Sequence, residues 1–560
     1  MKQSEMDHRY RSIVIAFVLT YASCLCMCSR LKAAEPMGIA VELRSQDRHS
    51  SDSPYLPKID KQTWKAQETA IIVCDMWDSH HCYRAVQRAT EMAPRMNRLM
   101  NVLRDQGVTV IHAPSGCMDA YQNHPSRQRS ISEPKVDELP DDITKWCYSI
   151  AEEAAQQYPI DQTDGGEDDT EGEHEAWRNT LLMQGRNPDA PWTKQMDLLQ
   201  IDPQSDWISD RGDEIWSILE NRSIKNVMLV GVHTNMCVLG RPFGLRQLAK
   251  NGMNVVLVRD LTDTMYNPAA KPYVSHFTGT DLIVSYIERT VCPTISSDQI
   301  LGGSPHRFRN DDRPTIAMMI GESEYNTAVS LPAYALENLG KQYRVVYVLE
   351  SLDAADGFVG LEQLEQAELL IVSVRRKLLP IKQLELVRQF IELGKPVIGI
   401  RTASHAFCLR NPESAKQESK AEFAQWPEFD SQVFGGHYTN HHGNNLASLV
   451  SFVGEPGQEK GQSTNPMTSS LLQGVDRQPF QQGGSLYKVR PLADGTQVLA
   501  VGRANGVEEE PVAWTYQRSD GGWSFYTSLG HEKDFLSAPF VQMLTNVINQ
   551  RCEPRIPASH

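Results

Sequence analysis

The sequence lacks the paired cysteines of a zinc site or a disulfide framework. Three of its eleven cysteines, Cys24, Cys26 and Cys28, lie near the start, and the other eight are scattered singly. Acidic residues outnumber basic residues, which gives a formal net charge of -15. A nucleic-acid surface needs clustered Lys and Arg, so we expect no nucleic-acid partner. Beyond Cys28 no apolar run approaches the roughly 20 residues of a membrane span.

The N-terminus differs from the rest of the chain. Arg9 and Arg11 precede an apolar stretch over residues 12–28. This pattern predicts a signal peptide over residues 1–34 and therefore an exported protein, periplasmic or secreted. The alternatives are an uncleaved membrane anchor and a lipid-modified Cys24.

The chain of 560 residues is long enough for two domains. Strand-like apolar runs alternate with helical patterns in both halves, which predicts parallel sheets with helices on both faces. We therefore expect an α/β protein with two doubly wound, three-layer α/β/α domains and mostly parallel sheets. The predicted boundaries are a linker over 35–66, a first domain over 67–300, a second linker over 301–312 and a second domain over 313–555.

The segment from about 115 to 206 interrupts the pattern of the first domain. It contains an acidic, Gly-rich run over 164–173 and several tryptophans. A segment this long is typical of an insertion, and we expect it to cover the active-site face.

Cys237 follows a predicted buried strand over 226–230 and begins a helical pattern. At such a turn the backbone N–H groups and the helix dipole favour an anion, which predicts a lowered thiol pKa and a nucleophile. The alternative is a buried structural cysteine. Asp75 ends another predicted strand, over 69–75. Because the carboxyl ends of parallel strands share one edge, Asp75 and Cys237 can meet.

The first half, over about 67–300, resembles the isochorismatase-like cysteine hydrolases. The resemblance rests on Ile-Ile-Val-Cys-Asp75-Met-Trp and on Gly-Val-His-Thr-Asn-Met-Cys237-Val. It implies amide hydrolysis by a Cys-Asp-Lys triad, with Asp75 as general base and a thioester on Cys237. It also implies an oxyanion site at the turn holding His233 and Thr234, with a cis peptide between residues 232 and 233.

The lysine of that triad has no obvious counterpart. The stretch over 200–212, where the family's pattern places it, contains no lysine. Lys194 is the nearest candidate, and a surface lysine is the alternative. Arg211 is a poorer substitute because a guanidinium does not lose its proton at working pH.

Three polar residues, Asp78, His80 and His81, follow the first strand closely. We interpret them as groups at the pocket mouth that contact substrate or cap a helix, and not as metal ligands. We expect no metal and no other cofactor.

The second half, over about 313–550, resembles the ThuA-like (trehalose utilisation) domains, which share the class I glutamine amidotransferase-like sheet. This resemblance rests on the stretches over 396–405, 434–443, 511–515 and 525–535. Arg401-Thr-Ala-Ser-His405 stands where amidotransferases place their cysteine, so we expect no glutaminase chemistry. A sugar- or metal-binding pocket is one interpretation of the histidines in these stretches, and structural hydrogen bonding is the other. They are His405, His437, His441, His442 and His531.

The sequence therefore predicts a hydrolase that cleaves a C–N bond of a small molecule through Cys237. One alternative is a binding protein whose impaired hydrolase fold and second half both recognise carbohydrate. Another is a second half that acts on a keto-sugar, with the first half accessory. The resemblance is compatible with a homo-oligomer, and the substrate is not identified.

Overall fold

The computed structural model describes residues 38–353, 357–410, 422–453 and 466–554. The signal peptide predicted over 1–34 lies outside these residues, and export stays a prediction. Within the described ranges, no helix combines the length and the apolar character that a membrane crossing requires.

The first half is built on an eight-stranded sheet of order β2-β1-β8-β7-β6-β3-β4-β5. Strands β3 to β8 are parallel, because each neighbouring pair among them runs in the same direction. The strands are β1 (Gly38–Asp47), β2 (Leu56–Lys65), β3 (Thr69–Cys74), β4 (Thr109–Ala113), β5 (Trp207–Ile208), β6 (Asn226–Val232), β7 (Asn254–Asp263) and β8 (Thr294–Ile295).

Helices cover both faces of this sheet, as expected. Ala70 and Ile72 of β3 pack into one apolar core, and Ile71 and Val73 pack into the core on the opposite face. The helices are α1 (Tyr83–Gln106), α2 (Pro125–Ser132), α3 (Glu171–Met183), α4 (Gly212–Asn221), α5 (Leu245–Lys250), α6 (His276–Thr290) and α7 (Asp298–Leu301). Of these, α2 and α3 lie in the insertion.

The prediction of a linker over 35–66 is wrong for the described part of that segment. β1 and β2 form an antiparallel hairpin, and β1 continues the sheet beside β8. Ile39, Val41 and Leu43 are buried while the residues between them are exposed. This period-two alternation is the signal of a half-buried strand, and it is hidden by the polar residues around it.

The second half is built on a ten-stranded sheet of order β11-β10-β9-β12-β14-β22-β21-β20-β17-β18. Its doubly wound part, from β10 to β22, is parallel, and the strands β21, β20, β17 and β18 extend it in antiparallel pairs. Antiparallel neighbours can be joined by short turns, as β20, β21 and β22 are.

The described residues of this half form the following strands and helices. The strands are β9 (Thr315–Gly321), β10 (Arg344–Glu350), β11 (Phe358–Val359), β12 (Leu369–Val374), β13 (Leu379–Pro380), β14 (Val397–Ile400), β15 (Phe423–Ala424), β16 (Asn440–His441), β17 (Ser448–Phe452), β18 (Phe480–Gln481), β19 (Tyr487–Lys488), β20 (Thr496–Ala504), β21 (Glu510–Gln517) and β22 (Trp523–Thr527). The helices are α8 (Thr327–Asn338), α9 (Ile381–Glu392), α10 (Pro466–Leu471) and α11 (Ala538–Arg551).

Each sheet has a point where the chain reverses its winding direction. In the first sheet β4 and β6 lie on opposite sides of β3, and in the second β10 and β12 lie on opposite sides of β9. Loops diverge there and leave a crevice at the carboxyl ends of the strands, which is where doubly wound proteins bind ligands.

Candidate functional site

Asp75 and Cys237 meet at the crevice of the first sheet, as the sequence predicted. Asp75 follows β3 directly, with a left-handed backbone φ of 46°. Cys237 lies in a turn of π-helix (Thr234–Val238) that follows β6. β3 and β6 are parallel neighbours, so the thiol of Cys237 and the carboxyl group of Asp75 lie close enough for the charge of Asp75 to raise the pKa of the thiol.

A glycine permits this close approach of the two strand ends. Gly231 has a φ of 112°, which L side chains rarely adopt, and a Cβ there would lie 2.0 Å from the carbonyl oxygen of Cys74. The peptide bond between Val232 and His233 is cis, as the family resemblance implies.

Arg241 is the cation of this site, and sequence reasoning missed it. Its Nε donates to Oδ2 of Asp75 at 2.9 Å, while Oδ1 accepts the backbone N–H of Ser115 at 2.7 Å. Its guanidinium lies over the ring of Trp146, with Cζ 5.4 Å from the centroid. Arg241 stands four positions after Cys237, a spacing that places two side chains on one side of a helical turn.

Burial governs the electrostatics of the site. Desolvation raises the pKa of Asp75, and the charge of Arg241 opposes that shift. Desolvation and then the neighbouring Asp75 charge hold the pKa of Cys237 well above its usual value, again against Arg241. The expectation of a lowered thiol pKa is therefore wrong. Cys237 is only 8% exposed. Desolvation therefore raises the pKa of its thiol by more than the backbone N–H groups of the turn can lower it.

Lys194 does not complete the triad in this structure. Its Nζ donates to both carboxylate oxygens of Asp197 at 2.6 and 2.8 Å, and its side chain is 43% exposed. Arg211 does not reach the site either, because it forms an ion pair with Asp213, with Nη2 2.9 Å from Oδ2. The path of the insertion directs the Lys194 ammonium towards solvent, and a sequence cannot show such a direction.

The insertion covers the site through contacts with the loop after β3. Asp78 accepts hydrogen bonds from the backbone N–H and the hydroxyl of Thr193, at 2.9 and 2.8 Å, and from Arg186 at 2.9 Å. Trp192 stacks on Trp77, with ring centroids 4.5 Å apart. The carboxylate of Asp78 therefore binds the insertion. Its predicted contact with substrate at the pocket mouth stays a prediction.

A small cavity beside Asp75 is lined by Trp77, Ser79, His80 and His233. Burial lowers the pKa of His80 well below its usual value and lowers that of His233 to about 4, so both imidazoles are neutral near pH 7. Nδ1 of His80 accepts the backbone N–H of Cys82, which places its proton on Nε2. Nδ1 of His233 has no hydrogen-bond partner among the described residues.

Two further predicted residues lie beside this cavity. The hydroxyl of Thr234 is bonded to that of Thr262 at 2.7 Å, so only its backbone is offered to an oxyanion. His81 packs on His80, with centroids 4.0 Å apart, and lines a separate surface cavity with Glu167 and His174.

Two groups of side chains in the described residues are close enough together to hold a cation. They are Cys82, Asp168 and Asp169, and Glu167, Asp169 and His174. In the first group Asp168 already binds Arg88 through two bonds of 2.8 and 2.9 Å. Cys237 and Asp75 belong to neither group.

The five histidines of the second half do not form one cluster. His405 stacks on Tyr438 at 4.5 Å, and the ring of His531 lies 5.9 Å from that of Tyr325. His442 instead faces Glu510 at 3.3 Å, and His441 bonds to a backbone carbonyl. The side chain of His437 is exposed.

Comparisons with known proteins divide the chain in the same way. Residues 170–272 match the family model described as Isochorismatase domain, and residues 316–549 match the model described as ThuA, Trehalose utilisation. These matches confirm both resemblances inferred from the sequence. The first includes Cys237 and Arg241 but begins after Asp75. Among proteins of curated function, none matches the sequence significantly.

Several solved structures are similar to one half or the other. A ThuA-like protein from Bacteroides uniformis is 14% identical, with 44% of this chain and 95% of that one covered and a TM-score of 0.31. A cysteine hydrolase from Pseudomonas syringae is 14% identical, with 42% and 92% covered and a TM-score of 0.25. An isochorismatase family protein from Burkholderia thailandensis is 14% identical, with 44% and 96% covered and a TM-score of 0.24.

Proposed function

We propose that the first half is a cysteine hydrolase that cleaves a C–N bond in a small amide. The observation that carries this proposal is the position of Asp75, which lies at the strand end next to that of Cys237 and binds Arg241 in a buried site. The match of residues 170–272 to the isochorismatase family supports it.

The geometry supports a mechanism that starts from a neutral thiol. Asp75, whose pKa is raised by burial, takes the thiol proton as the sulfur of Cys237 attacks the amide carbon. The carbonyl electron pair moves to its oxygen, and backbone N–H groups of the turn near Thr234 and Cys237 hold that oxyanion. Asp75 then gives its proton to the departing nitrogen, which leaves as an amine, and water hydrolyses the thioester.

Arg241 takes the place of the lysine in this mechanism. The thiol and the carboxylate share one negative charge, which moves from oxygen to sulfur when the proton moves from sulfur to oxygen. The charge of Arg241 acts on both groups and stabilises the negative charge at either position. A guanidinium cannot carry a proton between them, so Asp75 alone serves as base and acid.

The groups around Asp75 favour a neutral substrate. The imidazoles of His80 and His233 are uncharged near neutral pH, and the hydroxyl of Ser79 has no partner among the described residues. The ring of Trp77, which stacks on Trp192, gives this region an apolar side.

A panel of small primary amides tests the proposal through ammonia release by the full chain. We expect one or more amides to be hydrolysed, and Cys237→Ser to lower the rate by about a thousandfold or more. The control is Cys408→Ser, because Cys408 is a half-buried thiol of the other half. Hydrolysis that persists in Cys237→Ser, or no hydrolysis across the panel together with no acylation of Cys237 detected by intact mass, contradicts it.

A further inference from the structure

The crevice of the second sheet carries aromatic and basic side chains that the proposed hydrolysis does not use. Tyr325 follows β9, Arg375 and Arg376 follow β12, and Arg401 follows β14. The loops after β9 and β12 flank the point where the winding of this sheet reverses. The position is therefore that of a ligand site in a doubly wound domain.

Arg401 forms the base of this crevice, and the charge of Asp534 acts on it without a direct ion pair. It is 1% exposed, and its guanidinium lies over the rings of Tyr325 and Tyr487, with Cζ 4.1 and 4.7 Å from the centroids. Its hydrogen bonds go to backbone carbonyls, including that of Ser528 at 2.6 Å. In the described part of the chain no carboxylate pairs with it. Because buried charges are normally paired, this one favours an anion nearby.

Arg376 adds a guanidinium that is not used within the protein. Its backbone N–H donates to the carbonyl of His405 at 3.0 Å, with a left-handed φ of 51°. Its half-buried side chain has no hydrogen bond or ion pair to any residue the structure describes, and its Nε is fully buried. Arg375 beside it pairs with Glu324 at 2.6 Å.

Aromatic rings form the wall next to Arg376. His405 stacks on Tyr438, and Tyr438 packs against Tyr487 with centroids 4.7 Å apart. Burial, followed by the charges of Arg376, Arg375 and Arg401, lowers the pKa of His405 to about 2. The imidazole of His405 is thus neutral near pH 7 and adds no positive charge to that of the arginines.

The acidic side chains near this crevice are engaged in other contacts. Glu322 accepts the backbone N–H groups of Tyr325 and Thr327, at 2.8 and 2.7 Å. Asp430 accepts the N–H of Tyr438 at 2.7 Å, and burial raises its pKa to about 7. None of these carboxylates forms an ion pair or a hydrogen bond with the side chain of Arg376, which stays available to a ligand.

We propose that this crevice binds a small organic carboxylate, with the carboxylate on Arg376 and the body of the ligand against Tyr325 and Tyr438. The planar fork of an arginine matches a carboxylate or a phosphate bidentately. The half-buried tyrosine rings offer flat apolar faces, which an organic molecule covers and a bare phosphate ion does not. The site is separate from Cys237 and does not depend on hydrolysis there.

Calorimetric titration of the full chain tests this site with matched probes. The Cys237→Ser variant is used, so that turnover does not contribute heat. The probes are glucuronate with neutral glucose, gluconate with neutral sorbitol, and inorganic phosphate. We expect at least one carboxylate to bind about tenfold or more tightly than its neutral partner, because a charge-assisted bidentate bond is lost in the partner.

Two arginine variants locate the binding. Arg376→Gln is expected to weaken carboxylate binding about tenfold or more, and Arg376→Lys to weaken it less, since it keeps the charge without the fork. Arg388→Gln is the control, because Arg388 is a half-buried arginine of the same half that packs over Trp426. Equal binding of the neutral partners, binding of phosphate alone, no binding of either carboxylate, or unchanged binding in Arg376→Gln overturns the proposal.

Discussion

Arg241 is the cation that favours ionisation of the Cys237 thiol. It binds Asp75 and lowers the pKa of Cys237 against the opposing effect of burial. A lysine at the same position would supply the same charge but a different geometry. The chemistry of the site therefore depends on which cation reaches Asp75, and in this chain the candidate at Lys194 does not.

Replacing Arg241 is expected to slow alkylation of Cys237. Arg241→Gln removes the cation and raises the thiol pKa further, and each unit of pKa lowers the thiolate fraction about tenfold at a pH below the pKa. Arg241→Lys keeps the charge and is expected to lose less. The measurement is the rate of iodoacetamide labelling at pH 8, read by mass spectrometry on the peptide that contains Cys237.

Lys194→Ala is the matched control for this experiment, because its ammonium is held by the exposed Asp197. It is expected to leave the labelling rate unchanged. A large effect of Lys194→Ala together with none of Arg241→Gln would transfer the role of the cation to the lysine.

At the scale of elements, the insertion is attached to the sheet by a few polar contacts. Asp78 binds the segment that runs from Arg186 to Lys194, and Trp192 covers Trp77. The hydrogen bonds of the insertion, including that from Arg186, hold the pKa of Asp78 below its usual value although burial opposes them. The shape of the cavity depends on this attachment.

Asp78→Ala is expected to loosen the segment over 186–194 without unfolding the sheet. The variant leaves the N–H groups of Thr193 and Lys194 without their acceptor, so these amides should exchange with solvent about tenfold faster or more. Hydrogen exchange followed by mass spectrometry measures this, with peptides of β3 and β6 as the internal reference.

Asp197→Ala provides the comparison, since Asp197 is exposed and binds only the ammonium of Lys194 among the described residues. We expect no change in exchange over 186–194 in that variant. Equal loosening by both changes would mean that Asp78 does not hold the insertion.

At the scale of the whole molecule, each half buries a neutral histidine at the carboxyl edge of its sheet. Burial lowers the pKa of His233 to about 4 and that of His405 to about 2. Both values lie below the pKa of an unfolded histidine. Below about pH 6.5 the unfolded chain therefore binds more protons than the folded chain. The stabilisation that is fully present above that pH is lost as the pH falls towards the folded pKa values.

The acid sensitivity of the fold should therefore decrease when these rings are removed. Each histidine is expected to contribute a loss of about 1.4 kcal/mol per pH unit below about pH 6.5. His233→Gln and His405→Gln should each narrow the difference in unfolding free energy between pH 7.5 and pH 5.0, by about 2 kcal/mol. Urea unfolding at both pH values measures it.

His437→Gln serves as the control in that series, because His437 is exposed. Its pH difference should equal that of the unchanged protein. If all three variants behave alike, the buried histidines are not the source of the acid sensitivity.

The sequence alone determined the two halves and the pairing of Asp75 with Cys237. Apolar strands separated by helices admit few arrangements, and residues at the ends of neighbouring parallel strands must share an edge. The same reasoning was insufficient for the hairpin of β1 and β2, whose buried Ile39, Val41 and Leu43 are hidden among polar residues.

Only the tertiary structure decided which cation joins Asp75 and how deeply the thiol is buried. A side chain's direction depends on the packing around it, so Lys194 turns to Asp197 while Arg241 reaches inwards. Burial is likewise a property of the assembled molecule, and here it raises the pKa of Cys237 where the local turn alone predicts a lower value.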